Sequence, residues 1–199
     1  NGGDGFVVAR LLFNMDIQVT VFLIGRQIDL KKDAAVNAEL AFKLGINIIE
    51  LDEAHLHSLE HHLENCDMAI DALFGTGLTR PVSGIYKQTI DKINQSKKYV
   101  TAIDIPSGLD SDTGMLMGGC IKADLTLVLA LFKQSHLLLP AAELMGEVEL
   151  IDIGIPPELV KSEGIGIQVT EESDLRTWFP QRIAGGHKGD YGHVLVIAG

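Results

Sequence analysis

Three polar loops carry the residues with which this chain could do chemistry. The first is the opening glycine-rich turn, "NGGDG", which stands ahead of an apolar helical pattern. The second, "DALFGTGLTRPVSG", places Asp71 before a turn that holds Gly75 and Gly77. The third, "DIPSGLDSDTG", contains Asp104 and Ser107. Glycines let the backbone come close to a ligand, and the free N–H groups of a helix N-terminus suit a phosphate.

These loops must be positioned by an alternation of strands and helices. Apolar, β-branched runs predict strands over 17–25, 46–52, 66–74, 123–132 and 146–156, and a strand that runs into a loop over 98–108. Helical patterns occupy 4–14, 31–45, 53–63 and 85–96, with a short helix over 140–145. This alternation is typical of an α/β fold with a mostly parallel sheet between two layers of helices. Ligands of such sheets bind beyond the carboxyl ends of the strands, where all three loops are expected.

Composition excludes several classes of function. The 199 residues carry a net charge of −11, which argues against binding to nucleic acid or an anionic membrane. The longest apolar run, over 125–132, is too short to cross a bilayer. The two cysteines, Cys66 and Cys120, have no metal or redox spacing, as expected for a protein of the reducing cytoplasm. A homo-oligomer is compatible with the sequence.

Two short motifs resemble metal sites but have simpler interpretations. "DSDTG" over 110–114 begins like a calcium loop but lacks that loop's third acidic position and distal glutamate, so we interpret it as an Asx turn. "HSLEH" over 57–61 fits a zinc-protease pattern within a histidine-rich segment. A third ligand and a cleft would also be needed, so we expect a surface helix there and no catalytic zinc.

The regular alternation stops near residue 156. The segment "VTEESDLRTWFPQRIAGGHKGDYG" is polar and glycine-bearing, and "HVLVIAG" over 193–199 then predicts one further strand. A strand followed by nothing suggests the start of a second domain. We therefore expect one domain over 1–156 and a linker with the beginning of another over 157–199, in a sequence truncated at both ends.

Taken together, the motifs resemble those of the NAD(P)H-hydrate epimerase family. "NGGDGFVVARLL", "DALFGTGLTRPVSGIY", "AIDIPSGLDSDTG" and "VELIDIGIP" follow in that family's order, over about residues 1–156. The resemblance implies a Rossmann-like three-layer sandwich, here without its first strand. "HKGDYGHVLVIAG" resembles the opening of the ribokinase-like NAD(P)H-hydrate dehydratase domain, which uses ADP or ATP. A chain that carries both sets of motifs resembles the bifunctional NAD(P)H-hydrate repair enzymes.

The resemblance also implies a substrate and a set of site residues. The family interconverts the R and S hydrates of NADH and NADPH, and the dehydratase consumes the S form. Carried over by motif, a potassium ion would bind Asn1, Asp71 and Ser107. The hydrated nucleotide would bind Asp104 and the residues of two glycine-containing segments: Asn1, Gly2, Gly3, Asp4, Gly75, Thr76, Gly77, Leu78, Thr79, Arg80 and Pro81.

Asp104 is the candidate catalytic residue. In this family the nicotinamide ring is hydrated at C6. A carboxyl group at Asp104 could protonate the hydroxyl that leaves C6 and then deprotonate the water that returns on the other face of the ring. Alternatively, Asp104 only holds a ribose or ring hydroxyl. Lys133 could reach the same site or could lie in solvent at a strand end.

Two other classes of function stay open at the level of sequence. A Rossmann-type oxidoreductase is disfavoured, because the chain has no G-x-G-x-x-G and no acid at the ribose-binding distance. A non-catalytic nucleotide-binding or interaction module is the other alternative, since a fold does not fix a function. The joint presence of Asp71, Asp104 and Ser107 favours the enzyme over this module.

Overall fold

The computed structural model describes residues 2–178, 181 and 183–198. By its internal contacts the chain divides into two units, residues 1–154 and residues 155–199. This division lies two residues before the end predicted for the first domain. The assignment of residues 157–199 to a dehydratase domain stays a prediction.

Strands and helices alternate through the first unit, as the sequence predicts. The helices are α1 (Gly2–Phe13), α2 (Lys32–Lys43), α3 (Leu56–Asn65) and α4 (Gly84–Ser96). The strands are β1 (Thr20–Ile24), β2 (Asn47–Leu51), β3 (Met68–Asp71), β4 (Tyr99–Ile103), β5 (Leu125–Leu129) and β6 (Glu147–Ile151). The short helix predicted over 140–145 is a 3-10 turn, Ala141–Leu144.

All strand pairs in the described part of the chain are parallel. They form a two-stranded sheet, β1-β2, and a four-stranded sheet in the order β3-β4-β5-β6. Because parallel strands send their carboxyl ends to the same edge, the loops after β3, β4 and β5 leave the larger sheet side by side. The predicted α/β class with a parallel sheet is therefore confirmed.

Alternating residues of β1 build the two faces of the sandwich. Val21 and Leu23 pack against a cluster that contains Phe6 of α1 and Ala38 of α2. Phe22 and Ile24 pack against a second cluster, which contains apolar residues of α3 and α4. Successive side chains of a strand point to opposite faces, so a strand that is apolar at every position needs helices on both sides. This is the three-layer arrangement expected from the sequence.

The second unit contains little regular structure. Its described elements are α5 (Pro157–Ser162), α6 (Glu172–Trp178) and a 3-10 turn, Lys188–Tyr191. The strand predicted over 193–199 does not form in residues 193–198, and Gly199 lies outside the described residues. Val194 and Ile197 are 83% and 88% exposed. An apolar run becomes a strand only when a neighbouring strand accepts its backbone hydrogen bonds, and no such ladder is present in 193–198.

Candidate functional site

Asp71 and Ser107 form a buried pair at the carboxyl ends of β3 and β4. The Ser107 hydroxyl donates to Asp71 Oδ1 at 2.6 Å, and the Ser107 backbone N–H donates to Asp71 Oδ2 at 2.7 Å. The Leu73 N–H donates to Oδ1 at 3.2 Å. The Ser107 hydroxyl oxygen in turn accepts the Phe74 N–H at 2.9 Å. Two of the loops singled out in the sequence are thus joined through their oxygen-bearing side chains.

The Asp71 carboxyl group is buried among neutral donors. Its side chain belongs to a residue that is 2% exposed, and burial raises its pKa, while the hydrogen bonds from Ser107 act in the opposite direction. Burial, together with the charge of Asp71, also raises the pKa of the Cys120 thiol to about 12. A cation beside these oxygens would favour the ionised carboxylate, because opposite charge offsets the loss of hydration.

The oxygens of this pair fit a potassium ion chemically. A carboxylate and a hydroxyl are hard ligands of the kind that group 1 and group 2 cations take in proteins. Asn1, the third predicted ligand, lies outside the described residues. Among the residues that the structure describes, no group of three His, Cys, Asp or Glu side chains could hold a metal ion. That criterion leaves out serine and asparagine oxygens, so the potassium assignment stays a prediction.

Asp104 lies directly after β4 in a left-handed backbone conformation. Its φ is +70°, and the residue is 8% exposed. Its N–H donates to the Leu127 carbonyl at 2.8 Å, and its Oδ1 accepts the Leu129 N–H at 3.1 Å. Lys133 forms an ion pair with the same oxygen. Aspartate adopts this region of φ more readily than most non-glycine residues.

Lys133 and His136 complete a network around Asp104. The Lys133 ammonium also donates to the Leu129 carbonyl at 2.9 Å, so the lysine lies against the site and not in open solvent. His136 Nε2 lies 2.8 Å from the Asp104 carbonyl oxygen, and His136 Nδ1 lies 2.8 Å from the Lys133 backbone nitrogen. Because that nitrogen must donate, Nδ1 accepts and Nε2 carries the hydrogen, which defines a neutral imidazole. Burial lowers the pKa of His136 in accord with this state.

The opening segment differs from its prediction in one respect. Helix α1 begins at Gly2, so Gly2, Gly3 and Asp4 form its first turn and not a loop ahead of a helix starting at residue 4. The free N–H groups of a first turn are the groups that bind anions. A Cβ atom on Gly5 would lie 2.9 Å from the Cβ of Ala72, the residue after Asp71. The amino end of α1 therefore lies beside the end of β3.

The second predicted loop connects β3 to α4 near the surface. The Leu78 N–H donates to the Gly75 carbonyl at 3.4 Å, which closes a turn. Leu78 packs against the core, whereas Thr76, Gly77, Thr79, Arg80 and Pro81 are exposed. This loop thus offers its backbone and the Arg80 side chain at the same edge of the sheet as Asp71. Whether it holds a nucleotide stays a prediction.

The two motifs that resemble metal sites have structural roles. Asp110 Oδ1 accepts the N–H groups of Asp112 and Thr113, at 3.1 Å and 2.8 Å, which is the predicted Asx turn. Its hydrogen bonds to Thr113 lower the pKa of Asp110. In "HSLEH", His57 and His61 are exposed, while Glu60 forms an ion pair with Lys92 of α4. This helix packs its apolar side chains on the core, as a surface helix does.

Sequence reasoning overlooked His136 altogether. The available signal was weak: a polar stretch, "KQSH", directly after an apolar strand at the ligand-binding edge of a parallel sheet. A single histidine at such a position has no spacing motif. Its role becomes visible only when both ring nitrogens are seen to contact the backbone on either side of the Asp104–Lys133 ion pair.

In comparison with known protein families, residues 1–135 match the family described as "YjeF-related protein N-terminus". The chain is similar over its whole length to the bifunctional NAD(P)H-hydrate repair enzyme Nnr of Moorella thermoacetica, with 40% identity. It spans only 38% of that protein and 37% of the corresponding protein of Thermofilum pendens. Curated relatives of this type are thus more than twice as long as the chain.

A shorter relative matches the chain more evenly. The NAD(P)H-hydrate epimerase of Pirellula staleyi is 35% identical over 162 residues, which are 81% of this chain and 71% of that protein. The crystal structure of yeast ynu0 has the same fold, with a TM-score of 0.66 at 19% identity over 86% of this chain and 70% of that one. Since the family match covers most of the first unit and includes all three loops, the chain belongs to the family of the YjeF-related protein N-terminus.

Proposed function

We propose that this chain is an NAD(P)H-hydrate epimerase, which interconverts the R and S forms of hydrated NADH or NADPH. The relative from Pirellula staleyi carries that activity in its name, and the relative from Moorella thermoacetica is named a bifunctional NAD(P)H-hydrate repair enzyme. The observation that carries the proposal is the convergence at one sheet edge of three features: the first turn of α1, the Asp71–Ser107 pair and the Asp104 network. The first suits a phosphate, the second a cation and the third a proton transfer.

Different parts of this site would bind the phosphates and the cation. A nucleotide pyrophosphate would meet the N–H groups at the start of α1 and a potassium ion at Asp71 and Ser107, with Asn1 as a further ligand. The potassium ion would supply positive charge next to the phosphates. Gly2, Gly3, Asp4 and the loop from Gly75 to Pro81 would enclose the nucleotide.

The nicotinamide end would lie against Asp104. Epimerisation needs the C6 hydroxyl to leave as the lone pair of N1 moves into the N1–C6 bond, and water to return on the other face. A group that gives a proton in the first step and takes one in the second lowers both barriers, by roughly 10²–10⁴-fold for one well-placed side chain. The buried, hydrogen-bonded Asp104 carboxylate is available to take the proton of the returning water.

The length of the bifunctional relatives supports a second proposal. Residues 157–199 would lead into a dehydratase domain that consumes the S hydrate with ADP or ATP.

Two unpaired cysteines support a cytoplasmic location. Within the described residues, no helix is long and apolar enough to cross a bilayer.

The substitution Asp104→Asn tests the central proposal. It keeps the shape of the side chain and an acceptor for Leu129 N–H but removes the charge. We expect epimerisation of purified R hydrate, followed through a separate S-specific dehydratase, to fall by about 10²-fold or more, as for loss of an acid–base group. Because Lys133 loses its charged partner, the melting temperature should fall, and the rates are therefore compared well below it. Near-normal turnover in Asp104→Asn would exclude Asp104 as the acid–base group and leave it the role of a substrate anchor.

A further inference from the structure

We infer that Lys133 carries the exchangeable proton of this site, and that His136 positions Lys133 against Asp104. The inference rests on the proposed epimerase function and adds a proton donor to it. Asp104 alone was the candidate acid from the sequence. In the structure its Oδ1 accepts from both the Leu129 N–H and the Lys133 ammonium. An ion pair of this kind holds the proton on nitrogen, so the carboxylate has none to give to a leaving hydroxyl.

The surroundings of Lys133 suit a proton donor. Its side chain is 21% exposed and that of Asp104 is 11% exposed, so the pair is largely withdrawn from solvent while part of the Lys133 side chain stays accessible. Within the described contacts, the ammonium uses two of its three hydrogens, one for Asp104 and one for the Leu129 carbonyl. The third hydrogen is available to a ligand at the carboxyl edge of the sheet.

His136 fixes the relative position of the two partners. Its Nε2–H donates to the backbone carbonyl of Asp104, and its Nδ1 accepts the backbone N–H of Lys133, each at 2.8 Å. The imidazole is therefore a bridge between the chain segments that carry the carboxylate and the ammonium. At 4% exposure it is withdrawn from solvent, and both of its ring nitrogens are engaged with backbone groups, so it acts through Lys133 and Asp104 and is a positioning residue.

Lys133 and Asp104 together account for every proton that the reaction gives and takes. The C6–O bond breaks as N1 forms a double bond to C6, and Lys133 gives one proton to the departing oxygen, which leaves as water. Water then adds to the other face of C6, a new C6–O bond forms, and the N1–C6 double bond returns its electrons to N1. The surplus proton of the added water passes through Asp104 to the Lys133 amine. No oxidant or reductant is required.

Two substitutions of Lys133 separate proton transfer from charge pairing. Lys133→Met removes both. Lys133→Arg keeps a positive charge and donors for Asp104, but an arginine does not give up its proton in proteins. We expect both variants to lose about 10²-fold or more of kcat in the coupled assay on R hydrate, as for an acid–base group. Lys43→Met and Lys43→Arg are matched controls, since Lys43 forms an exposed ion pair with Glu39 on α2.

The outcomes distinguish this inference from the proposed function. If the unmodified chain epimerises and Lys133→Arg does so at the same rate, Lys133 only balances charge and the inference fails while the function stands. If the unmodified chain does not epimerise R hydrate, both fail. Equal rates for Lys133→Met and the Lys43 controls would also overturn the inference. Melting temperatures of all variants identify any loss of activity that is due to unfolding. Methylamine can replace the amine that Lys133→Ala removes, so a methylamine titration of this variant should restore part of the rate.

His136 has its own test. His136→Gln can still offer one acceptor and one donor, whereas His136→Leu offers neither. We expect His136→Leu to lower kcat with little change in KM and His136→Gln to recover part of kcat, because the bridge orients the pair without touching the substrate. Equal kcat in His136→Leu and the unmodified chain would remove His136 from the inference. So would a loss confined to KM.

Discussion

At the scale of single residues, the Asp71–Ser107 pair shows a conflict that a cation would relieve. A carboxyl group that is 2% exposed has its pKa raised by burial, and the hydrogen bonds described for it come from neutral groups. Holding it ionised at neutral pH therefore costs stability, because solvation of the charge is lost. Such a cost is typical of binding sites, where the ligand compensates for it.

This conflict predicts that a bound cation raises the melting temperature of the chain, and under the proposed function potassium should do so more than sodium or lithium. At ten times its Kd, a ligand that binds only the folded state adds roughly 1.4 kcal/mol. For a chain of this length, that is about 3–6 °C. Thermal unfolding in the three chloride salts at matched ionic strength measures the effect, and equal ionic strength removes non-specific screening.

The variant Asp71→Asn should lose the potassium-specific increment. Asp91→Asn, which alters a half-exposed carboxylate that pairs with Lys87 on α4, is the matched control and should keep it. Identical melting temperatures of the unmodified chain in all three salts would remove the cation site from the proposed function. The same would follow if Asp71→Asn kept the full increment.

His136 predicts a pH dependence of stability. Burial lowers the pKa of this imidazole in the folded state below the ordinary value of 6.5. Below pH 6.5 the unfolded chain therefore binds a proton that the folded chain resists, and the free energy of unfolding decreases as the pH falls. Above pH 6.5 the contribution of His136 is fully present. The protonated ring would also place an N–H against the Lys133 N–H, with which it cannot form a hydrogen bond.

The measurement is thermal or denaturant unfolding between pH 7.5 and pH 5. The decrease in stability should be smaller in His136→Gln than in the unmodified chain, although His136→Gln starts from a lower value. His57→Gln, at an exposed histidine of α3, should retain the full decrease. Parallel curves for His136→Gln and the unmodified chain would contradict the assignment of a buried neutral imidazole.

At the scale of elements, the segment after β4 depends on one glycine. Gly108 has a φ of +102°, and a Cβ atom there would lie 1.8 Å from the carbonyl oxygen of Gly119. Residues 107–121 fold back on themselves, since the Met117 N–H donates to the Gly108 carbonyl and the Ile121 N–H donates to the Ser107 carbonyl, at 2.8 Å and 2.9 Å. This close approach of two backbones fixes Ser107 against Asp71.

Gly108→Ala should therefore destabilise the chain by at least ~2 kcal/mol, from the left-handed backbone conformation and the overlap with Gly119. Gly77→Ala is a suitable control, because no atom lies within 4 Å of its added Cβ and its φ is not in the left-handed region. Denaturant unfolding of both variants measures the difference. A Gly108→Ala variant as stable as Gly77→Ala would show that this segment can move without cost.

At the scale of the whole molecule, we expect the site to belong to the first unit alone. Asp71, Asp104, Ser107, Lys133 and His136 all lie in residues 1–154, and their described contacts are within that unit. No described residue beyond 154 is buried, so the second unit has no core of its own in the described residues. Exposed backbone of this kind is a preferred site of proteolysis.

Limited proteolysis should accordingly cut between about residues 170 and 188, by the exposure of that segment. A chain that ends at residue 170 should keep the melting temperature and the epimerisation rate of the longer one. Lys188 and Asp190, in the "HKGDYG" segment, should be dispensable for epimerisation. Loss of activity on removal of residues 171–199 would show that the tail is part of the first domain, against the two-domain interpretation.

The sequence by itself determined the alternation of elements and the place of the three loops. Apolar runs such as 123–132 and the stripe of α3 predict their elements because period 2 and period 3.6 are local properties of the backbone. The ends of the strands and helices were less predictable. The strand predicted over 66–74 stops at Asp71, where the carboxylate accepts the Leu73 N–H and turns the chain out of the sheet. The polar loops pointed to Asp71, Asp104 and Ser107, and the family motifs added roles for them, but neither gave their contacts.

Only the tertiary structure decided what these residues do to one another. The Ser107–Asp71 hydrogen bond, the ion pair between Asp104 and Lys133, and the hydrogen bond from His136 to the Asp104 carbonyl join residues 29 to 36 positions apart. The burial that raises the pKa of Asp71 depends on the same packing. No periodicity encodes such pairs, because they depend on which strands become neighbours and in which register. The tail gives the opposite case. "HVLVIAG" has the composition of a strand, yet residues 193–198 form none, since a strand requires a partner that its own sequence cannot supply.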